Sequence, residues 1–389
     1  MADTTATQVQ AAEERFADEL AFLAVQDTGP RPPGWAMTPR AVVDFICGVQ
    51  GLRLDKAAAA KHPDLPARRD ISPKFIGDKA IVQRCVVTLA GARALLLTGE
   101  PGTAKSMLSE LLAAAISGTS AFVVQGSAGT TEDQLRYGWN YAQLLAEGPS
   151  PQALVPSAVM AAMRKGTIVR VEEITRMLPE IQDALVPVLS ERRISVAELG
   201  DETVYAREGF SVIATANLRD KGVSDMSAAL KRRFNFERID PIADRDAERR
   251  LVARATRQAL DKAAVHVPVD TRVVDTLVTI FRDLRRGITD EGWPVDKPST
   301  TMSTAEAVAI SSSLAFDGVY FPSGKDPVAD IPGHIAGAVR TNDDKDTARL
   351  AAYFDTVVKR RAEQNQSGAT GDTADPWTVL WQARTDIVR

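Results

Sequence analysis

Short apolar runs alternate with helical patterns in the middle of the chain. The runs ARALLLT (92–98), SAFVVQ (120–125), TIVRV (167–171) and FSVIATA (210–216) are rich in aliphatic and β-branched residues, which is typical of buried strands. Helical stretches lie between several of them, and this alternation predicts a parallel sheet with helices on its faces. Ligands of such sheets bind beyond the carboxyl ends of the strands.

Helical periodicity continues on either side of this region. Before it, apolar residues recur at helical spacing within 11–25, and Thr38 followed by Pro39 predicts the start of a further helix. After it, four helical patterns follow one another. We therefore divide the chain into an N-terminal helical accessory region (1–73), an α/β core (74–242), an all-helical domain (243–363) and a linker with a C-terminal tail (364–389).

The C-terminal tail carries Trp377 and Trp381 four residues apart. This spacing fits a terminal helix that packs on a neighbouring surface of the same chain, and it also fits a tail that docks on a partner. The preceding stretch, NQSGATGDTADP, has the composition of a flexible linker.

The composition argues against several classes of partner. With 47 basic and 51 acidic residues the formal net charge is −4, so no overall basic field attracts nucleic acid or an anionic membrane. No apolar run approaches the ~18 residues needed to span a bilayer, and the acidic N-terminus lacks an apolar signal core. Two cysteines in apolar helical patterns indicate a reduced, cytoplasmic setting, and three scattered histidines give little support to a histidine metal site.

A glycine-rich loop follows the first apolar run. In GEPGTAKS, Gly99, Gly102, Lys105 and Ser106 stand where a phosphate-binding loop needs them, between a strand and a helix. Backbone N–H groups of such a loop point at phosphate, the helix N-terminus adds positive potential, and the lysine neutralises the β- and γ-phosphates. Ala104 stands where a glycine is normally expected, and it is compatible with binding if its φ is negative.

Two carboxylates follow the third apolar run. In TIVRVEEITRM, Glu172 would order a magnesium shell and Glu173 would orient an attacking water. Glu172 is one methylene longer than the aspartate usual at such a strand end, and Arg170 interrupts an otherwise apolar strand. Both departures bear on the rate of hydrolysis more than on binding. The alternative is that the two acids only open the following helix, where negative charge suits the helix dipole.

Further polar residues follow the fourth run. Asn217 stands at its end, where an amide can hydrogen-bond both a γ-phosphate and an attacking water. Arg232 and Arg233 come later, just before a Phe-x-Phe pair, and an arginine brought to a neighbour's phosphate can stabilise developing charge. The alternative for this arginine pair is a solvated surface.

Taken in order, these four stretches resemble those of AAA+ ATPases and, within them, the MoxR family with its RavA-like and CbbQ/NorQ-like members. The resemblance runs over residues 74–240. FIGDKAIVQRCVVTLAGARALLLTGEPGTAKS is similar to the family's opening helix and Walker A segment. VPSAVMAAMRKGTIVRVEEITRMLPEIQDALVPVLSERRISV is similar to its Walker B strand and to the helix and hairpin that the family places ahead of sensor 1. GTTEDQLRYGWNYAQLLAEGPSPQALV occupies the place of the family's insertion in helix 2, which tends to line a central pore.

The resemblance implies ATP and Mg²⁺ as cofactors. It implies an αβα P-loop core with a parallel sheet followed by an all-helical lid, here preceded by the N-terminal helical extension. Ser106 and Glu172 would lie at the metal. The implied nucleotide contacts are Ile76 and Gly77 near the adenine, and Gly99, Glu100, Pro101, Gly102, Thr103, Ala104, Lys105, Ser106 and Met107 along the loop.

The same resemblance assigns catalytic roles. Glu173 would be the catalytic glutamate, Asn217 the sensor 1 residue, and Arg233, or second Arg232, the arginine finger of a neighbour's site. The family assembles as a ring, usually a hexamer, which implies a homo-oligomer whose sites are completed between subunits. The lid offers no arginine at the sensor 2 position, where Lys297 is the nearby cation.

The leading interpretation is a ring-forming, chaperone-like ATPase that remodels or activates a partner protein, and the resemblance suggests a partner with a von Willebrand A domain. Two alternatives stay open. A GTP-preferring, McrB-like motor of DNA restriction would use Asn217 and Asp220 as an Asn-x-x-Asp guanine reader. A nucleotide-binding scaffold with negligible hydrolysis would account for Arg170, Glu172 and the missing sensor 2 arginine. Neither membrane insertion nor nucleic-acid binding is expected.

Overall fold

The computed structural model describes residues 9–200, 202–217, 224–299, 302–339, 344–366 and 374–387. The chain divides into two compact units. The first comprises residues 1–100 and 104–239, and the second comprises residues 240–389 with residues 101–103. The predicted accessory region, 1–73, thus groups with the predicted core.

Strands occur throughout the first unit. They are β1 Val49–Arg53, β2 Arg68–Ile71, β3 Ala94–Gly99, β4 Val123–Gln125, β5 Tyr137–Trp139, β6 Leu154–Pro156, β7 Ile168–Glu172, β8 Arg193–Ser195, β9 Thr203–Tyr205, β10 Ser211–Ala216 and β11 Phe234–Ile239. Its helices are α1 Ala12–Arg15, α2 Ala17–Gln26, α3 Pro39–Cys47, α4 Lys56–Lys61, α5 Lys79–Ala90, α6 Lys105–Ser117, α7 Tyr141–Glu147, α8 Ala158–Lys165, α9 Pro179–Gln182, α10 Leu185–Ser190 and α11 Ala228–Lys231.

Five strands form one parallel sheet in the order β11-β3-β10-β7-β4, and three antiparallel pairs, β1-β2, β5-β6 and β8-β9, lie outside it. The predicted α/β class with a parallel sheet is confirmed. Because β10 pairs in parallel with both β3 and β7, the carboxyl ends of these three strands lie along the same edge of the sheet. The phosphate loop (residues 99–106), Glu173 and Asn217 each follow one of these ends.

Each face of the sheet is covered by a hydrophobic cluster. Along β3, Leu95 and Leu97 belong to a first cluster with residues of α3, α5 and α6, whereas Ala94 and Leu96 belong to a second cluster with residues of α8 and α10. This alternation follows from the period of two along a strand. The arrangement is the αβα sandwich that the sequence predicts.

The N-terminal region shares the first cluster, and this is why it is not a separate domain. Phe22 of α2 and Phe45 of α3 are fully buried in the same cluster as Leu108 and Leu112 of α6. The region is also not wholly helical, because β1 and β2 form an antiparallel pair that the sequence analysis did not predict.

The described elements of the second unit are helical, as predicted. They are α12 Arg245–Lys262, α13 Thr271–Arg286, α14 Thr304–Tyr320, α15 Ile331–Val339, α16 Asp344–Tyr353, α17 Lys359–Gln366 and α18 Pro376–Ala383, with a π-helical turn at Phe354–Val358. The fully buried Glu248 of α12 accepts hydrogen bonds from Arg282 and Arg285 of α13 and from Thr304 of α14. A buried carboxylate with this many donors holds three helices together.

The C-terminal tail packs within the second unit. Leu380 of α18 is fully buried in the hydrophobic cluster of this unit, and the guanidinium of Arg361 lies 4.4 Å from the ring centre of Trp377. Of the two interpretations of the tail, the structure supports the packed terminal helix. Among the described residues, no helix combines the length and the apolar character that crossing a membrane requires.

Candidate functional site

The phosphate loop connects the end of β3 to the start of α6. Lys105 is buried, and its Nζ donates hydrogen bonds to the carbonyl oxygens of Gly99 and Glu100 at 3.2 and 2.7 Å. The ammonium group and the N-terminus of α6 supply positive potential at the same place, which suits a phosphate group. Ser106 follows and is exposed.

Ala104 has a left-handed backbone, with φ 65° and ψ 25°. The condition under which the sequence made alanine compatible with binding, a negative φ, is therefore not met, because the loop keeps the conformation that glycine adopts most easily. A left-handed conformation costs an L-residue about 1–2 kcal/mol. Two contacts accommodate the alanine: its carbonyl accepts the N–H of Leu108 at 2.9 Å, and its methyl group packs against the first cluster.

The Glu172 carboxylate lies at the end of β7, is almost fully buried and accepts hydrogen bonds at both oxygens. Oε2 accepts from Ser106 Oγ and from Thr215 Oγ1, each at 2.7 Å, and Oε1 accepts from Ser109 Oγ at 2.6 Å. The longer side chain, compared with aspartate, is thus fixed by hydroxyl groups from α6 and β10. It lies directly beside the serine of the phosphate loop.

Arg170 has a partner that explains its place in an apolar strand. Residues two apart on a strand lie on the same face, and Arg170 Nη1 is 3.4 Å from Glu172 Oε1. Its Nε also donates to the carbonyl oxygen of Ser120 at 3.3 Å. The two departures from the usual strand pattern therefore form one ion pair.

Glu173 and Asn217 meet at the carboxyl edge of the sheet. Asn217 Nδ2 donates to Glu173 Oε1 at 2.8 Å, and the Glu173 N–H donates to Thr215 Oγ1 at 3.0 Å. Glu173 has φ 54° and ψ 45°, a conformation that is uncommon outside glycine and concentrates at functional sites. Its side chain does not cap the following turn, Ile174–Arg176, and Glu172 is part of β7. The alternative that both acids only open a helix is not supported.

Arg232 and Arg233 lie at the amino ends of the parallel strands, opposite the carboxyl ends that carry the phosphate loop. The carbonyl oxygen of Arg233 accepts a hydrogen bond from the N–H of Ala94, at the first residue of β3. The Arg233 guanidinium donates to Ser190 Oγ and, at 2.5 Å, to the carbonyl oxygen of Ala229. Arg232 is exposed at the end of α11. The structure therefore does not bring either arginine to the phosphate loop of its own chain.

The residues expected near the adenine lie between β2 and α5. Ile76 is half-buried, and Gly77 is exposed. Met107, the last residue expected along the loop, packs partly against the first cluster. Asp220 lies outside the described residues.

Sequence reasoning missed two hydroxyl groups that contact the two acids and one backbone carbonyl that contacts Arg170. Ser109 lies three residues after Ser106 and therefore on the same face of α6, which the helical spacing could have indicated. Thr215 is fully buried in the fourth apolar run, where Ser211 is the other hydroxyl residue, and a polar residue inside such a run is itself a signal. Ser120 contacts Arg170 only through its backbone, so nothing in the sequence could have identified it.

The oxygen atoms at and around the Glu172 carboxylate are suitable ligands for magnesium. Hydroxyl and carboxylate oxygens are hard ligands, and Mg²⁺ is commonly held by one or two protein oxygens with water and substrate phosphates completing its shell. Ser106 and Glu172 provide two such oxygens side by side. In the described part of the chain, no group of three or more His, Cys, Asp or Glu side chains is placed to hold a metal by itself.

Comparison with known proteins gives two matching family models. One, described as AAA domain (dynein-related subfamily), matches residues 94–234, and the other, YehL-like AAA+ ATPase C-terminal domain, matches residues 246–388. The "Uncharacterized protein YehL" of Escherichia coli (strain K12) is 43% identical over 95% of this chain and 94% of that protein. The "Uncharacterized protein SH1500" of Staphylococcus haemolyticus is 32% identical over 38% of this chain and 56% of that protein.

Two solved structures of NtrX from Brucella abortus resemble the chain at low sequence identity. The complex with ADP is 14% identical with a TM-score of 0.45, and covers 80% of this chain and 64% of the NtrX chain. The complex with ATP is 14% identical with a TM-score of 0.45, and covers 85% of this chain and 73% of the NtrX chain. The matches therefore span less than two thirds of the staphylococcal protein and of the ADP-bound NtrX chain.

Proposed function

The chain belongs to the YehL-like AAA+ ATPases, which are P-loop ATP hydrolases, and on this premise we propose that it is a ring-forming motor of MoxR type. It couples ATP binding and hydrolysis to the remodelling or activation of a partner protein. A homo-oligomeric ring, a hexamer by resemblance, and a partner with a von Willebrand A domain are parts of this proposal. So is the cytoplasmic setting.

One observation carries the proposal of an oligomer, namely the distance between the arginine pair and the phosphate loop. The carbonyl oxygen of Arg233 is hydrogen-bonded to Ala94 at the start of β3, and the phosphate loop begins at Gly99 at the end of the same strand. Five residue steps of a strand span about 17 Å. Neither arginine can therefore reach a nucleotide on its own chain, and a role in hydrolysis requires a neighbouring subunit.

The site supports hydrolysis through an ordered set of side chains. Lys105 would exchange its loop carbonyl partners for the β- and γ-phosphates. Ser106 and Glu172 would hold Mg²⁺, which when bound neutralises phosphate charge. Glu173 would orient the attacking water, and Asn217, which already donates to its carboxylate, would fix its direction.

The test is ATP hydrolysis with magnesium, measured across protein concentrations for wild type, Glu173→Gln, Arg232→Ala and Arg233→Ala. Arg40→Ala is the matched control, because its side chain is 92% exposed. We expect turnover per subunit to rise as rings form and to vanish in Glu173→Gln.

Arg232→Ala and Arg233→Ala should each bind nucleotide as tightly as wild type. Loss of turnover in one of them identifies that arginine as the arginine finger. Mixing that variant with Glu173→Gln subunits should give activity that depends on composition. A rate per subunit that stays flat with concentration, or activities that add strictly, would exclude a site shared between chains.

A scaffold with negligible hydrolysis is the second candidate, because both carboxylate oxygens of Glu172 have hydrogen-bond partners within the protein, without a metal. In that case Glu173→Gln should change neither assembly nor partner binding, whereas Lys105→Ala should abolish both. The McrB-like alternative remains a prediction, and the ratio of ATP to GTP affinity tests it.

A further inference from the structure

We propose that the N-terminal segment positions the magnesium-side carboxylate of the site, through a line of contacts from Glu13 by way of Ser120 and Arg170 to Glu172. This inference rests on the proposed roles of Ser106 and Glu172. It makes Glu13 and Arg170 positioning residues, and it gives the region before the P-loop core a part in catalysis.

The first contact joins α1 to the segment before β4. The Glu13 carboxylate accepts hydrogen bonds from the Ser120 N–H at 2.9 Å and from Ser120 Oγ at 2.8 Å. Burial acts to raise the pKa of Glu13, but the hydrogen bonds from Ser120 lower it overall, so the carboxylate is charged at neutral pH. A charged acceptor that binds both donors of one residue fixes the backbone of that residue.

The second contact joins that backbone to β7. The carbonyl oxygen of Ser120 accepts from Arg170 Nε, and the carbonyl oxygen of Phe122 accepts from the Arg170 N–H at 2.9 Å. Residues 120–122 thus hold both the main chain and the side chain of Arg170. The guanidinium is left with Nη1 towards Glu172 Oε1.

The third contact sets the carboxylate. The side chains of Arg170 and Glu172 are only 14% and 6% exposed, so little solvent screens their pairing. Oε1 takes Arg170 and Ser109, and this leaves Oε2 directed at Ser106 of the phosphate loop. Without Arg170, the rotation of the carboxyl group is restrained on that side by one hydroxyl only.

A second attachment keeps α1 in place against the helix that carries Ser106. Glu110 of α6 accepts the N–H of Ala12 at 2.8 Å with Oε1, and its Oε2 lies 3.3 Å from Arg15 Nη2. Glu110 lies four residues after Ser106 and so on the same side of α6. The α1 segment is therefore fixed directly to α6, which carries Ser106, and through Ser120 to Arg170 of β7, the strand that carries Glu172.

The test measures how nucleotide binding depends on magnesium, using a fluorescent ATP analogue titrated at a series of Mg²⁺ concentrations and in EDTA. Arg170→Met removes the donors at similar length, and Arg170→Lys keeps the charge. Glu13→Gln removes the charge at the other end, and Glu14→Gln is its matched control because Glu14 is exposed on the same helix.

We expect Arg170→Met to raise the half-saturating Mg²⁺ concentration by about 10-fold, the low end of the effect of losing a group that orients a metal ligand. Arg170→Lys should recover part of it. Glu13→Gln should shift it in the same direction by less, and Glu14→Gln should not shift it. Affinity in EDTA should stay within about twofold in all of them, and Glu13→Gln should add nothing to Arg170→Met if the contacts form one line.

If Arg170 had a purely structural role, its variants would be less stable but their half-saturating Mg²⁺ concentration would equal that of wild type. This result, observed in folded Arg170→Met or Arg170→Lys, would overturn the inference. So would a Glu13→Gln variant that behaves as Glu14→Gln, which keeps the test decisive even where Arg170→Met fails to fold. Because the readout is binding, a wild type that shows the dependence but never hydrolyses ATP refutes the motor and leaves the positioning line standing.

Discussion

Replacing Ala104 by glycine should stabilise the nucleotide-free protein, whereas alanine-to-glycine changes in helices destabilise. Ala104 precedes α6 with φ 65°, where glycine has no steric penalty. The matched control is Ala161→Gly, because Ala161 lies inside α8. The same change in chemistry is thus made at one left-handed and one helical position.

The expected difference can be worked out from the backbone terms. Relief of the left-handed strain gains about 1–2 kcal/mol, and the greater freedom of glycine in the unfolded chain costs about 0.5–1 kcal/mol. Loss of the partly buried methyl group of Ala104 costs about a few tenths of a kcal/mol more, so we expect a net gain in stability of about 0.5 kcal/mol. Ala161→Gly should lose about 1 kcal/mol, which separates the two variants by roughly 1.5 kcal/mol.

Urea unfolding of the full chain without nucleotide, followed by circular dichroism, measures both variants. Equal losses of about 1 kcal/mol would show that Ala104 carries no backbone strain, and the argument from its φ would fail. If the loop also keeps its form, the affinity of Ala104→Gly for ATP should equal that of wild type or exceed it. A large loss of affinity would mean that the methyl group itself is needed for binding.

Three further predictions concern single side chains. Lys105→Met should weaken ATP binding by about 10- to 100-fold in a fluorescent-nucleotide titration, because methionine donates nothing to phosphate; exposed Lys61 is the control. Leu380→Ala should cost about 2–5 kcal/mol in urea unfolding, and no change would deny α18 its packing role. Arg361 lowers the pKa of Glu291 to about 2, so Glu291→Gln should cost below about 1 kcal/mol at neutral pH. Wild type should lose that advantage as the pH falls from 4.5 towards 2, and a constant difference would contradict this.

The sequence predicted the strands that carry the site better than the sheet that holds them. Four apolar runs correspond to β3, β4, β7 and β10. Three of these, β3, β7 and β10, are central strands, and strands buried on both faces read as continuous apolar stretches, whereas β4 lies at the edge of the sheet. The sequence analysis missed β11, FNFERI, whose exposed residues alternate with buried ones at the edge of the sheet. Of the short antiparallel pairs, β8-β9 lies where the family resemblance places a hairpin, whereas β1-β2 and β5-β6 were missed, since three to five residues carry too little pattern to identify a strand.

Within the site, the sequence pointed to candidate residues but not to the contacts that hold them. Glu173 and Asn217 follow neighbouring strands, so their meeting could be expected once the strand order was known. The sign of φ at Ala104 could not be predicted from the sequence, because it depends on how the loop closes onto α6. The same holds for Ser109 and Thr215, whose contacts with Glu172 arise from packing between elements far apart in sequence.

Arg170 and Glu172 show why departures from a family pattern are poorly judged one at a time. A charged residue in the strand and a longer acid at its end each suggest a weakened site when taken alone. In the structure they are an ion pair, and the added methylene helps Oε1 to reach both Arg170 and Ser109 while Oε2 stays beside Ser106. Replacing Glu172 alone by aspartate would therefore leave Arg170 without its full partner in a buried setting, and a buried charge without its partner is strongly destabilising. The two residues form one solution to placing a carboxylate beside the phosphate loop, and the anchored N-terminal segment belongs to that solution.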